Sequence, residues 1–230
     1  MVTTSDQNAS EDSASEDSAS DDSASEGASD QNGSPGYRRS AGSAKGEARR
    51  RELLDRVTDD LAANGLVDFS LRRAARAAGA THKVLLYYFD GAEDLLVQAV
   101  AKLRQRRIDN ATALTLESYG TLAERVRALW PTLTEEEPGL RRVLDQAMGL
   151  AQYDSGRYGE LGRQASRQYI PMLRSLCPDG WSERRKDEVA EMTLATLRGF
   201  LLERLVSGDE AGVQAGFEAL IRALEREESA

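Results

Sequence analysis

The chain has few of the residues on which most catalytic and metal sites depend. Its 230 residues include one cysteine, Cys177, and one histidine, His82. A single cysteine excludes an internal disulfide and a multi-cysteine metal site, and we interpret Cys177 as a small apolar filler. Because His82 has no second histidine or cysteine beside it, we expect neither a metal site nor a cofactor.

Long apolar runs and catalytic motifs are also lacking. No stretch approaches the roughly 18 apolar residues that a transmembrane helix needs, and the acidic N-terminus is unlike a signal peptide. We therefore expect a cytoplasmic protein with no membrane segment. The sequence has no Walker loop, no Gly-x-Ser-x-Gly elbow and no nucleophile with an identifiable base, so we expect no enzyme.

Positive charge is missing from the first 37 residues, which hold nine Asp and Glu but no Lys or Arg. Without those nine acids, the chain holds 30 acids against 30 bases, so the net charge of −9 belongs to the first 37 residues. Residues 38–90 carry 11 bases and 7 acids. The acidity is therefore confined to the tail, and the following segment has the local positive excess that phosphate binding requires.

Apolar periodicity after the tail predicts an all-α fold, since no alternating strand pattern of useful length occurs. Asn64-Gly65 should end the first helix with a left-handed cap, and Asp90–Glu93 and Thr121–Glu124 resemble capping boxes. The predicted helices cover 47–63, 71–78, 82–89, 90–116, 121–131, 138–152, 157–176, 183–206 and 210–227.

Residues 69–89 have the pattern of a helix-turn-helix, two short helices joined by a turn at Gly79. Three small residues allow close packing of the first of them, and Gly79 should have a positive φ. The small residues are Ala74, Ala75 and Ala78, and the side chains expected to pack inward are Leu71, Val84, Leu85 and Phe89. The start of the second helix then faces outward, which is the arrangement of a helix that contacts DNA bases.

The same stretch resembles the DNA-binding domain of TetR family transcriptional regulators. The matching residues are Gly65, Ser70-Leu71, Ala78-Gly79-Ala80-Thr81, Leu85, Tyr88-Phe89 and Glu93-Asp94-Leu95-Leu96. Beyond about residue 100 the resemblance depends only on length and helicity. The sequence departs from the family pattern at Leu86, where a tyrosine is usual, at Ala92, where a base is usual, and at Lys83, where a small residue is usual.

This resemblance implies an organisation and a function. We expect a helix-turn-helix domain over 45–91 and a helical effector-binding and dimerisation domain over 92–230. They follow a tail over 1–44 that we expect to be disordered, because its repeat of Ser, Ala and acid has no apolar side chain larger than Ala. The protein would be a homodimer that binds an inverted repeat in double-stranded DNA, most simply as a repressor, and is released by a small-molecule effector.

The residues expected at the DNA are Ser70, Arg72, Thr81, His82, Lys83 and Tyr87. Lys83 is assigned to a base edge and Tyr87 to a phosphate. Of Arg72, Arg73 and Arg76, at least one should contact phosphate, although all three could form only a solvated face. Arg49 to Arg51 are equally consistent with phosphate contact and with a solvated helix start.

The C-terminal half offers a dimer interface and an effector cavity. Residues 183–206 and 210–227 fit the two helices that pair between subunits in the resembled family, although they could simply complete the core of one subunit. The candidate cavity residues are Trp130, Met148, Gln152, Tyr153, Tyr169 and Met172. For each of them, ordinary core packing is the alternative to ligand contact.

Two further alternatives remain open at this point. The chain could be a helical protein-interaction module whose acidic tail binds a basic partner. If it does bind DNA, the tail could compete with phosphate for the basic surface, or it could be a solubilising extension without effect on DNA.

Overall fold

The computed structural model describes residues 43–116 and 120–230, and every regular element in these ranges is a helix, as predicted. The predicted tail over 1–44 therefore lies outside the described residues except at its end. The helices are α1 (Ala44–Asn64), α2 (Leu71–Ala77), α3 (His82–Tyr88), α4 (Ala92–Leu116), α5 (Leu122–Thr134), α6 (Pro138–Tyr153), α7 (Ser155–Ser175), α8 (Glu183–Ser207) and α9 (Glu210–Glu228). Among the described helices, none has the length and apolarity to cross a membrane.

Hydrogen-bonded caps set several helix starts where the sequence predicted them. The capping box at Thr121 is confirmed: Glu124 N donates to Thr121 Oγ1 at 3.2 Å, and Thr121 N donates to Glu124 Oε2 at 2.9 Å. The predicted box of Asp90 with Glu93 is wrong by one residue. The backbone N–H of Asp90 donates to Asp94 Oδ2, because α4 begins at Ala92 and the helical turn brings Asp94 back to that N–H.

Helix α5 continues through Pro131 for another turn, whereas the sequence predicted its end there. Proline removes one donor from the helical ladder. The hydroxyls of Thr132 and Thr134 donate to the carbonyls of Leu129 and Trp130, at 2.7 and 3.0 Å. These bonds tie the last turn of α5 to the turn before it.

Two glycines have positive φ angles at the ends of α1 and α2. Gly79 has φ of 60°, which confirms the predicted turn. Gly65 has φ of 74° with ψ of −175°, a region open almost only to glycine, so the cap is not the left-handed one that we expected. A Cβ at position 65 would also lie 3.1 Å from Gln146 Oε1, on α6.

The buried side chains form two apolar clusters. The first joins α1 to α3 with the start of α4, with one face of α6 and with Leu161 of α7. The second is formed mainly by α5, the end of α7, α8 and α9, and it includes Ala111 of α4. Helix α4 therefore contributes to both clusters, and the first apolar core continues without interruption across the domain boundary predicted at residue 91.

Candidate functional site

Helices α2 and α3 form the predicted helix-turn-helix. Ser70 Oγ accepts from Arg73 N at 3.2 Å, and Thr81 Oγ1 accepts from Val84 N at 3.3 Å, so both helices begin at a hydroxyl cap. Ala74 and Ala78 are completely buried, and Leu85 anchors α3 in the same core. This packing leaves the N-terminal end of α3 in solvent.

The outer face of this motif carries exposed cations. Arg72, Arg76, His82 and Lys83 are all exposed. Within residues 43–116 and 120–230, no carboxylate forms an ion pair with Arg72, Arg76 or Lys83. These charges have no competing intramolecular partner there and can meet an external anion.

Two arginines of the same segment bind the protein instead. Arg73 pairs with Asp60 at 2.8 Å and donates to the carbonyl oxygens of Val67 and Gly65 at 2.8 and 2.9 Å. Arg50 donates to Tyr88 O at 3.3 Å and to the side chain of Gln98. Arg73 and Arg50 therefore hold the motif together, and of the three arginines of α2 only Arg72 and Arg76 are free of an internal ion pair among the described residues.

Tyr87 is half-buried and packs edge-on against Tyr88, with ring centroids 4.7 Å apart. Leu86, where the resembled family usually has a tyrosine, is 54% exposed. Helix α3 thus presents an apolar side chain beside its cationic start. The structure places all six predicted DNA residues on or beside the same motif, and DNA contact at each remains a prediction.

A cavity of about 340 Å³ lies between the two apolar clusters. Its wall comes from five helices: Arg104, Arg107, Ile108 and Ala111 of α4; Leu129 and Leu133 of α5; Leu144, Asp145, Met148, Gly149 and Gln152 of α6; Ala165, Tyr169, Met172 and Leu173 of α7; and Leu194, Leu197, Arg198, Gly199, Leu201 and Leu202 of α8. The volume falls in the range of roughly 300–1,000 Å³ that is usual for small-ligand sites.

Four of the six predicted effector residues lie in this wall, namely Met148, Gln152, Tyr169 and Met172. The other two do not. Trp130 stacks on Phe217 at 4.5 Å and donates its indole N–H to Gln214, so it belongs to the second core. Tyr153 ends α6 with 90% of its surface exposed. Ligand contact at the four wall residues remains a prediction.

Sequence reasoning missed three arginines in the cavity wall. Arg104 is almost fully buried and donates to Gln168 Oε1 at 2.7 Å and to Leu161 O at 3.2 Å. Burial lowers the pKa of Arg104, and repulsion from Arg198 and Arg107 lowers it further. Arg104 and Arg107 follow Val100 and Leu103 at helical spacing, so they lie on the apolar face of α4. This spacing is the signal that could have revealed both arginines as buried.

Arg107 has an internal counter-ion. Its Nε donates to Glu136 Oε1 at 2.7 Å, and its Nη1 donates to Tyr169 Oη at 3.2 Å. Burial alone would lower the pKa of Arg107, but Tyr169 and Glu136 together raise it above the ordinary value.

Arg198 has a weaker set of partners. Its Nη1 lies 3.4 Å from Ser166 Oγ, and no described group accepts from its buried Nη2. Burial lowers the pKa of Arg198. Among the described residues, Asp145 is the only acid in the cavity wall. Burial raises the pKa of Asp145, which Arg107 and Arg141 offset in part.

The exposed faces of helices α8 and α9 differ in composition. Met192, Leu202 and Val206 of α8 are 41%, 57% and 73% exposed, and Ala195 and Gly199 lie between them on the same face. The apolar residues of α9, Val213, Phe217, Leu220, Ile221 and Leu224, are buried within the protomer. The exposed residues of α9 instead include the small Ala211, Ala215 and Ala219 and the polar or charged Gln214, Arg222, Glu225 and Arg226.

The described residues contain no group of three or more His, Cys, Asp or Glu that could hold a metal ion. Cys177 is buried among apolar residues of the second cluster, and burial raises the pKa of its thiol. The arrangement is therefore one of surfaces and a cavity, with exposed cations on the helix-turn-helix and fully or partly buried guanidinium groups in the cavity wall.

Comparison with solved structures identifies this arrangement as the fold of TetR transcriptional regulators. A TetR regulator from Haloarcula marismortui ATCC 43049 aligns with a TM-score of 0.57 at 18% identity, over 78% of this chain and 98% of that one. A TetR family regulator from Cytophaga hutchinsonii aligns with a TM-score of 0.59 at 15% identity, over 80% and 96%. A candidate transcriptional regulator from Streptomyces coelicolor A3(2) aligns with a TM-score of 0.60 at 22% identity, over 76% and 96%. No family model and no curated protein sequence matches the chain.

Proposed function

We propose that the protein is a dimeric, sequence-specific DNA-binding transcriptional regulator whose DNA affinity is modulated by a small molecule. The observation that carries the proposal is the exposed N-terminal end of α3. His82 and Lys83 lie there on the same motif as Arg72 and Arg76, and none of the four forms an ion pair among the described residues. A helix-turn-helix with such a helix end fits the major groove, and the flanking cations fit phosphates.

The proposed domains are the DNA-binding segment over 45–91 and the effector and dimerisation segment over 92–230. The exposed apolar face of α8 supports pairing with a second copy, because a monomer rarely leaves such a stripe in water. Two recognition helices related by a two-fold axis would meet successive major grooves about 34–36 Å apart, so the site should be an inverted repeat. Repression is the simplest outcome of such binding.

Selection of duplexes from a random library with the full-length protein tests this proposal. We expect enrichment of an inverted repeat, with an affinity that falls steeply as salt rises. The alternative, a helical interaction module with an acidic tail, predicts no enrichment and no salt-dependent duplex binding.

Modulation by a ligand requires different ligand affinities in the DNA-bound and released conformations. A 100-fold change in DNA affinity corresponds to about 2.7 kcal/mol of coupling. Helices α4 and α6 are suited to carry it, because each contributes to the cavity wall and to the core that supports the helix-turn-helix.

A further inference from the structure

We propose that the cavity is built for an anionic amphiphile, a small molecule with an apolar body and a single carboxylate or comparable anion that meets Arg198. The proposal deepens the effector role given above and rests on it only for the regulatory consequence. Binding of the anion itself is a separate property of the cavity.

The wall of the cavity is mainly apolar, and most of its charged side chains are arginines. Most of its side chains are aliphatic, and the charged ones are Arg104, Arg107, Arg198 and Asp145. Arg107 is neutralised by Glu136, a residue with only 6% of its side chain exposed. Against the two remaining guanidinium groups the wall offers a single carboxylate, so the wall keeps an excess of positive charge.

Asp145 does not neutralise Arg104 or Arg198 by an ion pair. Its only ion-pair partner among the described residues is Arg141, at 3.7 Å, and 39% of its side chain is exposed. Outside the cavity wall, the exposed Glu191 of α8 also attracts Arg198, but the two form no ion pair among the described residues. A buried cation without a close anion is costly, and a ligand anion is the group that would remove the cost.

Arg198 is the residue with donor capacity to spare. The guanidinium of Arg104 already donates to Gln168 and Leu161, and that of Arg107 to Glu136 and Tyr169. By contrast, Nη2 of Arg198 is buried, lies in a cavity-lining side chain, and has no described acceptor. The guanidinium carbon of Arg198 also lies 5.8 Å from the centroid of the Tyr169 ring, and this cation–π contact helps to hold Arg198 in the wall.

The charge of the ligand separates this proposal from a purely apolar or a cationic ligand. Isothermal titration calorimetry of the full-length protein without DNA would compare octanoate with octanol and octylamine, and 2-naphthoate with 2-naphthamide. Because a hydrogen bond to a charged group is worth about twice a neutral one, we expect an acid to bind at least about tenfold more tightly than its neutral analogue. Octylamine should bind most weakly of the octyl compounds.

Two variants and a control locate the anion. Arg198→Gln should abolish the preference for the acid and leave the affinity for the neutral analogue unchanged, which a merely structural role would not do. Asp145→Asn should increase the preference, because it removes the carboxylate that lines the cavity beside the arginines. Arg184→Gln, on the same helix with 88% of its side chain exposed, should change neither.

The proposal is overturned if neither acid binds more tightly than its neutral analogue, if octylamine binds best, or if Arg198→Gln retains the preference. Should Arg198→Gln fail to fold, the Asp145→Asn comparison decides alone, and an unchanged preference there overturns the proposal. The titrations contain no DNA, so they can be interpreted even if the duplex selection fails. DNA binding without binding of the acids would refute only the proposed ligand class.

Discussion

The side-chain oxygen Oε1 of Gln146, on α6, accepts a hydrogen bond of 2.8 Å from the backbone N–H of Leu66, in the loop before α2. The same oxygen lies where a Cβ on Gly65 would be crowded. On the adjacent face of α6, Asp145 and Met148 line the cavity. One helix thus connects the cavity wall to the start of the helix-turn-helix by a single named contact.

Removal of this acceptor should affect stability and regulation together. In Gln146→Met the shape is kept but the buried N–H of Leu66 loses its partner, so we expect a loss of about 1–3 kcal/mol in the free energy of unfolding. Urea denaturation measures the loss, and duplex binding with and without ligand measures the coupling. Gln146→Glu keeps an acceptor oxygen and is the matched control. Equal stability of both variants and the wild type would show that the contact is dispensable.

Lys83 and Tyr87 should affect DNA binding in different ways. Lys83→Ala should cost about 1–3 kcal/mol on the preferred duplex and relax the preference at one base position. Tyr87→Phe should weaken all duplexes about equally, because a phosphate contact carries no direct sequence information. Binding to a panel of single-base variants checks both, with Arg184→Ala as a control far along the chain. If only Tyr87→Phe changed the preferred sequence, the two roles would be reversed.

Much of the motif, and the start of α5, could be predicted from the sequence because their determinants are local. The cap at Thr81, the turn at Gly79 and the box of Thr121 with Glu124 each depend on residues within four positions. Which arginines form internal ion pairs could not be predicted from local sequence. Arg73 reaches Asp60, 13 positions away, and nothing in the local pattern distinguishes it from Arg72.

The side chains that line the cavity were even harder to predict from local sequence. Trp130 and Tyr153 were reasonable candidates by residue type, yet one is held in the second core by Phe217 and the other is in solvent. Which side chains line a cavity depends on the packing of five helices that are distant in sequence. The charges of Arg104 and Arg198 become neighbours only through that packing.

Val206 provides a test of the dimer. Its side chain is 73% exposed on α8, so Val206→Asp should leave the protomer folded while placing a charge in the proposed interface. We expect the variant to sediment as a monomer at micromolar concentration and to lose affinity for the inverted repeat. Val67→Asp, at a position 66% exposed outside that face, should stay dimeric. A monomeric wild type that still binds the inverted repeat would refute the interface.

Asp145 should leave a signature in the pH dependence of stability. Burial raises the pKa of Asp145 above the ordinary 3.8. In the pH window between the unfolded and the folded pKa, the folded chain therefore binds more protons than the unfolded chain. The free energy of unfolding contributed by this group therefore falls as pH rises through the window. Asp145→Asn should remove that fall and be more stable than the wild type at neutral pH, with the difference vanishing in acid.

Urea denaturation from about pH 3 to about pH 7 measures this component. Asp179→Asn, an exposed acid in the turn before α8, should reproduce the wild-type profile. A profile for Asp145→Asn that also matches the wild type would contradict the assigned role of burial.

The participation of α4 in both apolar clusters has a consequence for local unfolding. Residues near Leu95 and Leu103 are buried with the helix-turn-helix, whereas Ala111 is buried with α5, α8 and α9. Amide hydrogen exchange should therefore divide this one continuous helix, each half exchanging with the opening of its own cluster. A ligand between the clusters would link the two openings, so it should slow exchange in the helix-turn-helix amides, none of which it touches.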